Sequence, residues 1–317
     1  MIWIIGCKGM LGTELMLQLK QAKIPCIGTD GEVDITNAHA LENFINATET
    51  ASYYSVSDSK KQDGKITWII NCAAYTAVDK AEDEQEKAYA VNVEGVANIA
   101  RSARNHGAKF IHISTDYVFD GTASKPYDEA DAKNPLGVYG STKSESENAV
   151  AQAMTQYYIV RTAWLYGFDG RNFVYTMTNA MNTRSEVKVV NDQWGSPTFC
   201  GDLASTIIKF IEKSESAKSL IGKNSAAPYG IYHFTNEGET TWYEFTKAIY
   251  LYGKKHGRIT NDCTIEPCAT ADFPTKAARP AYSVLSKKKI EKELKIKIPA
   301  WQHSLEKFMK SERFMIP

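Results

Sequence analysis

The first twenty residues contain an apolar run, a glycine-rich turn and an amphipathic segment in immediate succession. Ile2-Trp-Ile-Ile5 is short and apolar, and the apolar residues from Leu11 to Leu19 recur at helical spacing. Glycines between a strand and a helix allow a tight turn and close approach to a pyrophosphate, which the positive end of the helix then faces. The predicted phosphate-binding residues are Gly6, Lys8, Gly9, Met10, Leu11 and Gly12. This order predicts an α/β protein built on a doubly wound parallel sheet.

The second predicted strand, residues 25–30, ends in an acidic residue. Asp30 follows Gly12 by eighteen positions, where a carboxylate accepts the two hydroxyls of an adenosine ribose and repels a 2′-phosphate. No Arg or Lys comes directly after Asp30, so the residues favour NADH over NADPH. Asp34 and Ile35 are predicted to flank the adenine, although Asp34 is equally suited to cap the next helix.

Two further strands are predicted at residues 67–70 and 109–113, and a long helix at 84–104 separates them. Ligands of open parallel sheets bind beyond the carboxyl ends of the strands, so the residues that follow each strand are site candidates. After the third strand these are Cys72, Ala73, Ala74, Tyr75 and Thr76, and after the fourth they are Thr115, Asp116 and Tyr117. Small residues at 72–74 permit close approach to a cofactor. Strand-end hydroxyls are also ordinary turn formers, and that alternative stays open.

A helix is predicted from Pro135 towards residue 151, with Asn134 as its N-cap. Tyr139 and Lys143 are then an i,i+4 pair on one face, within reach of a common ligand. A phenol beside a cation has a lowered pKa and transfers protons more readily near neutrality. The alternative is a surface tyrosine next to a lysine that lies along the helix.

Composition limits the kind of partner. Lys+Arg and Asp+Glu are both 37, so no excess charge indicates nucleic acid or an acidic membrane surface. No apolar run approaches the ~18 residues of a membrane span and no basic leader is visible, which predicts a cytoplasmic protein with a small-molecule partner. Residues 48–65 are polar and without periodicity, as expected of an exposed loop insertion.

The six cysteines are scattered, which indicates reduced thiols. Cys263 and Cys268 have the spacing of half a metal site, but no second pair or His cluster accompanies them, and no metal site is predicted.

Several motifs together resemble the dTDP-4-dehydrorhamnose reductases, a family of extended short-chain dehydrogenases/reductases with a Rossmann-type sheet. They are Gly6-x-x-Gly-x-x-Gly12, Asn71-Cys-Ala-Ala-Tyr-Thr-Ala-Val-Asp-Lys-Ala-Glu82, Ser114-Thr-Asp-Tyr-Val-Phe-Asp-Gly121, Val138-Tyr-Gly-Ser-Thr-Lys143, Arg161-Thr-Ala-Trp-Leu-Tyr-Gly167, Asn191-Asp-Gln-Trp-Gly-Ser-Pro-Thr198 and Ala278-Arg-Pro280. The resemblance covers almost the whole chain. Departures are the 48–65 segment and Met10, where the family more often has Gln.

The resemblance implies reduction of a 4-keto sugar nucleotide by NADPH or NADH, with Thr115, Tyr139 and Lys143 as catalytic residues. Lys143 would also bind the nicotinamide ribose, and Thr115 would polarise the carbonyl oxygen. The implied substrate-binding residues are Thr76, Asp116, Tyr117, Trp164, Asn172, Gln193 and Arg279. Trp164 would lie against the sugar ring, with a core tryptophan as the alternative. For Arg279, a partner of the diphosphate, the alternative is a surface salt bridge.

The expected organisation is a cofactor-binding domain of residues 1–165 with returning segments near 190–235, and a smaller interleaved lobe in 166–317. Residues 232–234 and 242–245 are expected in the core of that lobe. A monomer or homodimer is expected. Part of the family carries a metal at a dimer contact, but no cluster in this sequence can be assigned to Mg²⁺.

Other functions on the same scaffold stay open. A sugar-nucleotide 4,6-dehydratase is disfavoured because its motif has Glu after Thr-Asp, where this chain has Tyr117. Another sugar-nucleotide 4-ketoreductase, a 4-epimerase and a regulatory subunit of the methionine adenosyltransferase type remain as alternatives.

Overall fold

The computed structural model describes residues 1–50, 53–54, 61–62, 64–219 and 226–316. The strands are β1 Ile2–Ile5, β2 Cys26–Thr29, β3 Tyr53–Tyr54, β4 Lys61–Gln62, β5 Trp68–Asn71, β6 Lys109–Thr115, β7 Tyr157–Thr162, β8 Leu165–Tyr166, β9 Glu186–Val190, β10 Trp194–Gly195, β11 Thr198–Phe199, β12 Gly230–His233, β13 Thr240–Thr241 and β14 Thr264–Cys268. The helices are α1 Met10–Gln21, α2 Ala38–Thr50, α3 Val78–Ala81, α4 Gln85–Tyr89, α5 Val96–Asn105, α6 Val138–Ala153, α7 Phe173–Thr183, α8 Cys200–Ser219, α9 Trp242–Lys255, α10 Lys288–Leu294 and α11 Trp301–Lys310.

A six-stranded sheet in the order β12-β7-β6-β5-β1-β2 is the centre of the molecule, and all its neighbours pair in parallel. The four residues of β1 and the four of β5 are all buried, as expected of strands covered on both faces. The chain leaves β1 for β2 on one side and returns to β5 on the other, so the strand order reverses between β1 and β5. That reversal opens a crevice at the carboxyl ends of the strands, where ligands of such sheets bind.

Helices cover both faces of this sheet, which confirms the predicted doubly wound, Rossmann-type architecture. Leu11, Leu15 and Leu19 of α1 pack on one face together with α8 and α10. The opposite face carries α2, α5 and the end of α6, which contributes Val150. Burying apolar residues on both faces is what fixes the sheet between two helical layers.

A second, smaller core lies apart from the sheet and contains residues of β8, β9, β11, α7, α9 and α11. Phe245 belongs to it, as predicted. Tyr232 and Phe234 do not, and their assignment to the smaller lobe is wrong. They belong to the core of the large sheet, because β12 pairs with β7 at its edge. The two cores are therefore interleaved in sequence.

The predicted helix at 84–104 is present, with an irregularity near the site. A π-helical segment, Ala90–Gly95, joins α4 to α5. Within it, Asn92 accepts a hydrogen bond from the backbone N–H of Tyr75 (2.8 Å) and donates to Thr142 (3.0 Å). The segment thus ties the loop after β5 to α6.

The helix that carries Tyr139 begins later than predicted. Asn134 is not its N-cap, because its side chain donates to Asp120 instead. The helix begins at Val138, after Gly137 in extended conformation, and the Val138 N–H donates to the Glu82 carboxylate at 2.9 Å. A carboxylate remote in sequence thus supplies the negative charge that a helix N-terminus favours.

The prediction of an exposed loop at 48–65 is wrong for its first residues, which belong to α2 and include the buried Thr48. Helix α2 ends at Thr50, and β3 pairs with β4 in an antiparallel ribbon. Residues 51–52, 55–60 and 63 lie outside the described residues. Within the described part of the chain, no helix combines the length and apolar character required to cross a bilayer.

Candidate active site

A cavity of about 910 Å³ lies at the carboxyl ends of the sheet strands. Of the predicted residues, it is lined by Gly6, Gly9, Met10, Leu11, Gly12, Asp30, Asp34, Ile35, Cys72, Ala73, Ala74, Thr76, Thr115, Asp116, Tyr117, Tyr139, Lys143 and Trp164. The structure therefore brings the glycine turn and the Thr-Tyr-Lys residues to one space, although more than a hundred residues separate them in sequence. Its volume is in the range typical of sites for small molecules.

The glycine turn depends on missing side chains at two positions. Gly6 has φ +79°, and a Cβ on it would lie 2.7 Å from the backbone nitrogen of Ala73. At Gly12, a Cβ would lie 2.1 Å from the Gly6 carbonyl oxygen. A larger residue at Gly6 would push the turn away from the loop after β5, and one at Gly12 would clash with the backbone of the turn itself. The close packing leaves the N-terminus of α1 at the cavity wall, which suits a phosphate.

Two carboxylates lie at the end of β2. Asp30 accepts hydrogen bonds from the backbone N–H groups of Lys8 (3.1 Å) and Gly31 (3.0 Å). Glu32 accepts from the Asp30 N–H at 3.0 Å and pairs with the Lys8 ammonium at 3.1 Å. Lys8 itself does not line the cavity. Glu32 does not line the cavity, and Lys8 balances its charge. The Asp30 carboxylate does line the cavity, and its negative charge disfavours a 2′-phosphate on an adenosine ribose there.

Burial determines the protonation of the predicted acid. Burial raises the pKa of Tyr139 to about 12, against the opposing effect of its hydrogen bond with Thr115. The prediction that Lys143 lowers this pKa is wrong for the chain as it stands, because burial outweighs any such effect. A phenol with this pKa is protonated at neutral pH, which is the form that a proton donor needs.

Lys143 is buried, and its ammonium points to the sheet as well as to the cavity. Nζ donates to the Ile113 carbonyl oxygen at 2.7 Å and lies 3.2 Å from His112 Nε2. Burial lowers the pKa of Lys143 to about 8, while the nearby Glu147 and Cys72 oppose that shift. The ammonium form therefore predominates only below about pH 8.

Thr115 and Asp116 form a polar pair at the end of β6. The Thr115 hydroxyl donates to Asp116 Oδ1 at 3.0 Å and accepts from the Tyr117 N–H at 3.2 Å. Asp116 is 2% exposed, and its Oδ2 has no hydrogen-bond partner among the described residues. Burial raises the pKa of Asp116 to about 6, against the opposing effects of the nearby Ser283 hydroxyl and of the Thr115 hydrogen bond. The unpaired oxygen is available to a hydroxyl of a ligand.

Trp164 is held in an unusual backbone conformation, with φ 47°. Its ring stacks on Trp242 with centroids 3.6 Å apart, and a Cβ on Gly195 would meet it at 2.5 Å. The side chain is thus packed against the smaller core and also lines the cavity, while its contact with a sugar ring remains a prediction. A non-glycine residue with positive φ is typical of functional sites.

Four other predicted residues lie away from the cavity lining. Tyr75 is bound through its backbone to Asn92, and Asn172 caps α7 by accepting from the Tyr175 N–H at 3.1 Å. The Gln193 side chain donates to Thr270 at 3.0 Å. Arg279 pairs with the Asp79 carboxylate at 2.7 Å, in agreement with the alternative prediction that it forms a salt bridge. Their roles in binding remain predictions.

Sequence reasoning missed part of the lining. It did not select Val33, Val78, Val91, Ser114, Thr162 or Arg171. Ser114 and Thr162 stand at the carboxyl ends of parallel strands, a signal that could have found them. Nothing local distinguishes Arg171, which reaches the cavity through the fold of the segment before α7.

A model of the family described as the RmlD substrate binding domain matches residues 1–314. The chain belongs to this family. A relative named dTDP-4-dehydrorhamnose reductase, from Aggregatibacter actinomycetemcomitans, is 39% identical over 304 residues, which cover 95% of this chain and 96% of the relative.

Solved structures of the RmlD family share the whole fold. That of a dTDP-4-dehydrorhamnose reductase from Clostridium acetobutylicum has a TM-score of 0.84 and 40% identity, covering 97% of this chain and 98% of the other. That of the Bacillus anthracis dTDP-4-dehydrorhamnose reductase in complex with NADP has a TM-score of 0.83 and 35% identity, covering 97% of each chain. Within the described ranges, no three His, Cys, Asp or Glu side chains converge as metal ligands would.

Proposed function

We propose that the chain reduces the C4 keto group of dTDP-4-dehydro-L-rhamnose to give dTDP-L-rhamnose, with NADH or NADPH as reductant. One observation carries the proposal: Thr115, Tyr139 and Lys143 face the same cavity as the phosphate-binding glycine turn. Membership of the RmlD family and the names of its relatives support this choice of sugar nucleotide.

The cavity is suited to reduction of a ketone. A bound reduced nicotinamide supplies the hydride for C4. Tyr139, neutral at physiological pH, donates its phenolic proton to the oxygen that gains charge. Lys143 donates its free N–H groups to the cofactor ribose. Hydrogen bonds fixed in advance at the developing alkoxide supply most of the stabilisation.

Thr115 and Asp116 act as a unit at the substrate. When Asp116 is ionised, the single Thr115 proton is donated to it, so that proton is not available to polarise the ketone. Protonated Asp116 frees that hydroxyl for the carbonyl oxygen. Asp116 Oδ2 is buried and has no hydrogen-bond partner among the described residues. We assign it as the acceptor of a hydrogen bond from a sugar hydroxyl.

We assign cofactor binding to residues 1–165 together with β12, and sugar-nucleotide binding to the remainder of residues 166–317 together with Asp116 and Trp164 at the cavity. The glycine turn, Asp30 and Lys143 belong to the first part. Trp164 stands at the junction and presents its ring to the cavity, where it is assigned to the sugar.

The Asp30 carboxylate, which lines the cavity at the end of β2, favours NADH over NADPH. We expect Asp30→Asn to raise the NADPH-to-NADH ratio of kcat/KM about tenfold, because it keeps the shape of the side chain but removes a charge that repels a 2′-phosphate. Steady-state rates with each cofactor measure this ratio. Glu86→Gln, an exposed carboxylate outside the cavity lining, is the control. If the ratio is unchanged in Asp30→Asn, the preference between NADH and NADPH is determined by residues other than Asp30.

A coupled assay tests the function itself. dTDP-4-keto-6-deoxyglucose is supplied with and without a 3,5-epimerase, and loss of dihydronicotinamide absorbance is followed. We expect oxidation of the cofactor only when the epimerase is present. Oxidation without it would indicate another 4-ketoreductase, and interconversion of sugars without net oxidation would indicate a 4-epimerase. If the cofactor is not oxidised and no sugar is interconverted, and a synthetase subunit co-purifies with the protein, the result would indicate a regulatory protein.

A further inference from the structure

A chain of hydrogen bonds runs behind the cavity wall through three buried side chains that no proposed step uses. The Ala73 N–H donates to Asn71 Oδ1 at 3.0 Å, and Asn71 Nδ2 lies 3.3 Å from His112 Nδ1. His112 Nε2 lies 3.0 Å from Ser146 Oγ, which donates to the Lys143 carbonyl oxygen at 2.6 Å. Asn71, His112 and Ser146 are each 0% exposed.

The direction of every bond in this chain follows from its two ends. A backbone N–H can only donate, so Ala73 fixes Oδ1 of Asn71 as the acceptor and leaves Nδ2 to donate to His112 Nδ1. Burial and the Lys143 charge lower the pKa of His112 well below its usual value, so the ring is neutral. Its one proton is therefore on Nε2. Ser146 accepts that proton because its own is donated to a carbonyl.

This tautomer decides what Lys143 can bind. Lys143 Nζ and His112 Nε2 are 3.2 Å apart, but both carry hydrogens, so their contact is not a hydrogen bond. Among the described residues, the one acceptor within hydrogen-bond reach of the ammonium is the Ile113 carbonyl, at 2.7 Å. The other two N–H donors are left for the cavity that Lys143 lines.

We infer that His112 is a positioning residue, whose Nε2–H tautomer is imposed by Asn71 and Ser146 and directs the free donors of Lys143 into the cavity. The opposite tautomer would present a lone pair to Lys143 and draw one of its donors into the wall. The inference rests on the proposed function only in taking the cavity ligand of Lys143 to be a nicotinamide cofactor. Other titratable groups near the Lys143 ammonium are Glu147 and Cys72, and neither takes part in the hydrogen bonds that connect Asn71, His112 and Ser146.

The tautomer can be read directly by nuclear magnetic resonance of protein labelled with ¹⁵N-histidine. We expect the His112 imidazole to be neutral, with an unprotonated Nδ1 and a protonated Nε2, at every pH at which the protein is folded. Its signals should disappear in His112→Gln, which assigns them. A protonated Nδ1, or a ring that titrates near neutrality, would overturn the inference. This measurement requires neither sugar nor turnover, so its result does not depend on whether the proposed reaction is correct.

Asn71→Asp is the matched functional variant, because it keeps the shape but replaces the Nδ2 donor with an acceptor. We expect the ring proton to move to Nδ1, and the Kd for NADH at pH 7 to rise about five- to tenfold as Lys143 is drawn to Nε2. In the wild type, Kd should also rise as the pH passes about 8, where Lys143 loses its proton, and this dependence should move to higher pH in the variant.

Binding of NADH is measured by its fluorescence, with Ser141→Ala, a half-buried serine of α6 outside the cavity lining, or wild type as the reference. Two results would contradict the inference: an Asn71→Asp protein whose tautomer moves without any change in Kd, or one whose Kd rises while Nε2 stays protonated. The second would assign the loss to the added charge alone. Thermal unfolding confirms that each variant is folded before its Kd is read.

Discussion

Tyr139→Phe should lower kcat for sugar reduction about 1000-fold while the affinity for the nicotinamide cofactor is unchanged. The substitution removes the phenolic proton that the proposed reaction delivers to the forming alkoxide, and a positioned acid contributes roughly 10²- to 10⁴-fold to such a step. The ring of Tyr139 packs edge-on against Tyr117, with centroids 5.6 Å apart, and phenylalanine preserves that contact. Steady-state rates at saturating substrate give kcat, and fluorescence of bound NADH gives the affinity.

The matched control is Tyr89→Phe, which removes a hydroxyl from a tyrosine that is 43% exposed and outside the cavity. It should turn over like the wild type. Full turnover by Tyr139→Phe would show that the proton comes from elsewhere in the wall, with Thr115 and Asp116 as the groups to test next. A loss of cofactor affinity equal to the loss of kcat would instead indicate that the cavity had collapsed.

Glu147→Gln should lower the free energy of unfolding by about 3–5 kcal/mol, the usual consequence of leaving a buried charge unpaired. Glu147 accepts from Arg161 Nε and Nη2 at 2.8 and 2.7 Å and from the Ser114 hydroxyl at 2.6 Å. Lys133 adds a second cation at 3.3 Å. The Glu147 and Arg161 side chains are each 1% exposed, so the glutamine would leave a guanidinium in the core without a counter-charge.

Urea unfolding at pH 7 measures the effect, and Glu145→Gln, exposed on the same helix, is the control and should change stability little. Burial alone would raise the pKa of Glu147, but Arg161, Ser114 and Lys133 bring it below its usual value. The stabilisation is therefore present above the pKa of a free glutamate, about 4.3. It is lost as the pH falls through the lower folded value, so the two proteins should converge in acid. A difference below about 1 kcal/mol at pH 7 would mean that water or a rearranged side chain compensates Arg161.

The pair also matters for the cavity, although neither residue lines it. Glu147 lies one turn after Lys143 on α6, and Arg161 lies on β7, so their contact fixes the helix on the sheet. Ser114, which bonds Glu147, does line the cavity. A loss of stability in Glu147→Gln should therefore be accompanied by weaker cofactor binding.

The sequence alone determined the parts of the site that depend on short-range regularities. A strand followed by glycines and a helix can form few structures, because the turn needs positions without side chains, as at Gly6 and Gly12. The spacing of Tyr139 and Lys143 placed both on one helix, and parallel strands bring residues such as Thr115 to a common edge. Each of these follows from helix or strand geometry over a few residues.

Only the tertiary structure decided which distant groups meet, and what burial does to their charge. Glu82, not Asn134, supplies the polar partner at the start of α6. Asp79 holds Arg279, and His112 faces the Lys143 ammonium across α6 and β6. These partners are separated by tens to hundreds of residues, and a local pattern carries no information about which of many carboxylates or rings will be adjacent. The protonation of Tyr139 and Lys143 likewise depends on removal from water, which exists only once the chain has folded around them.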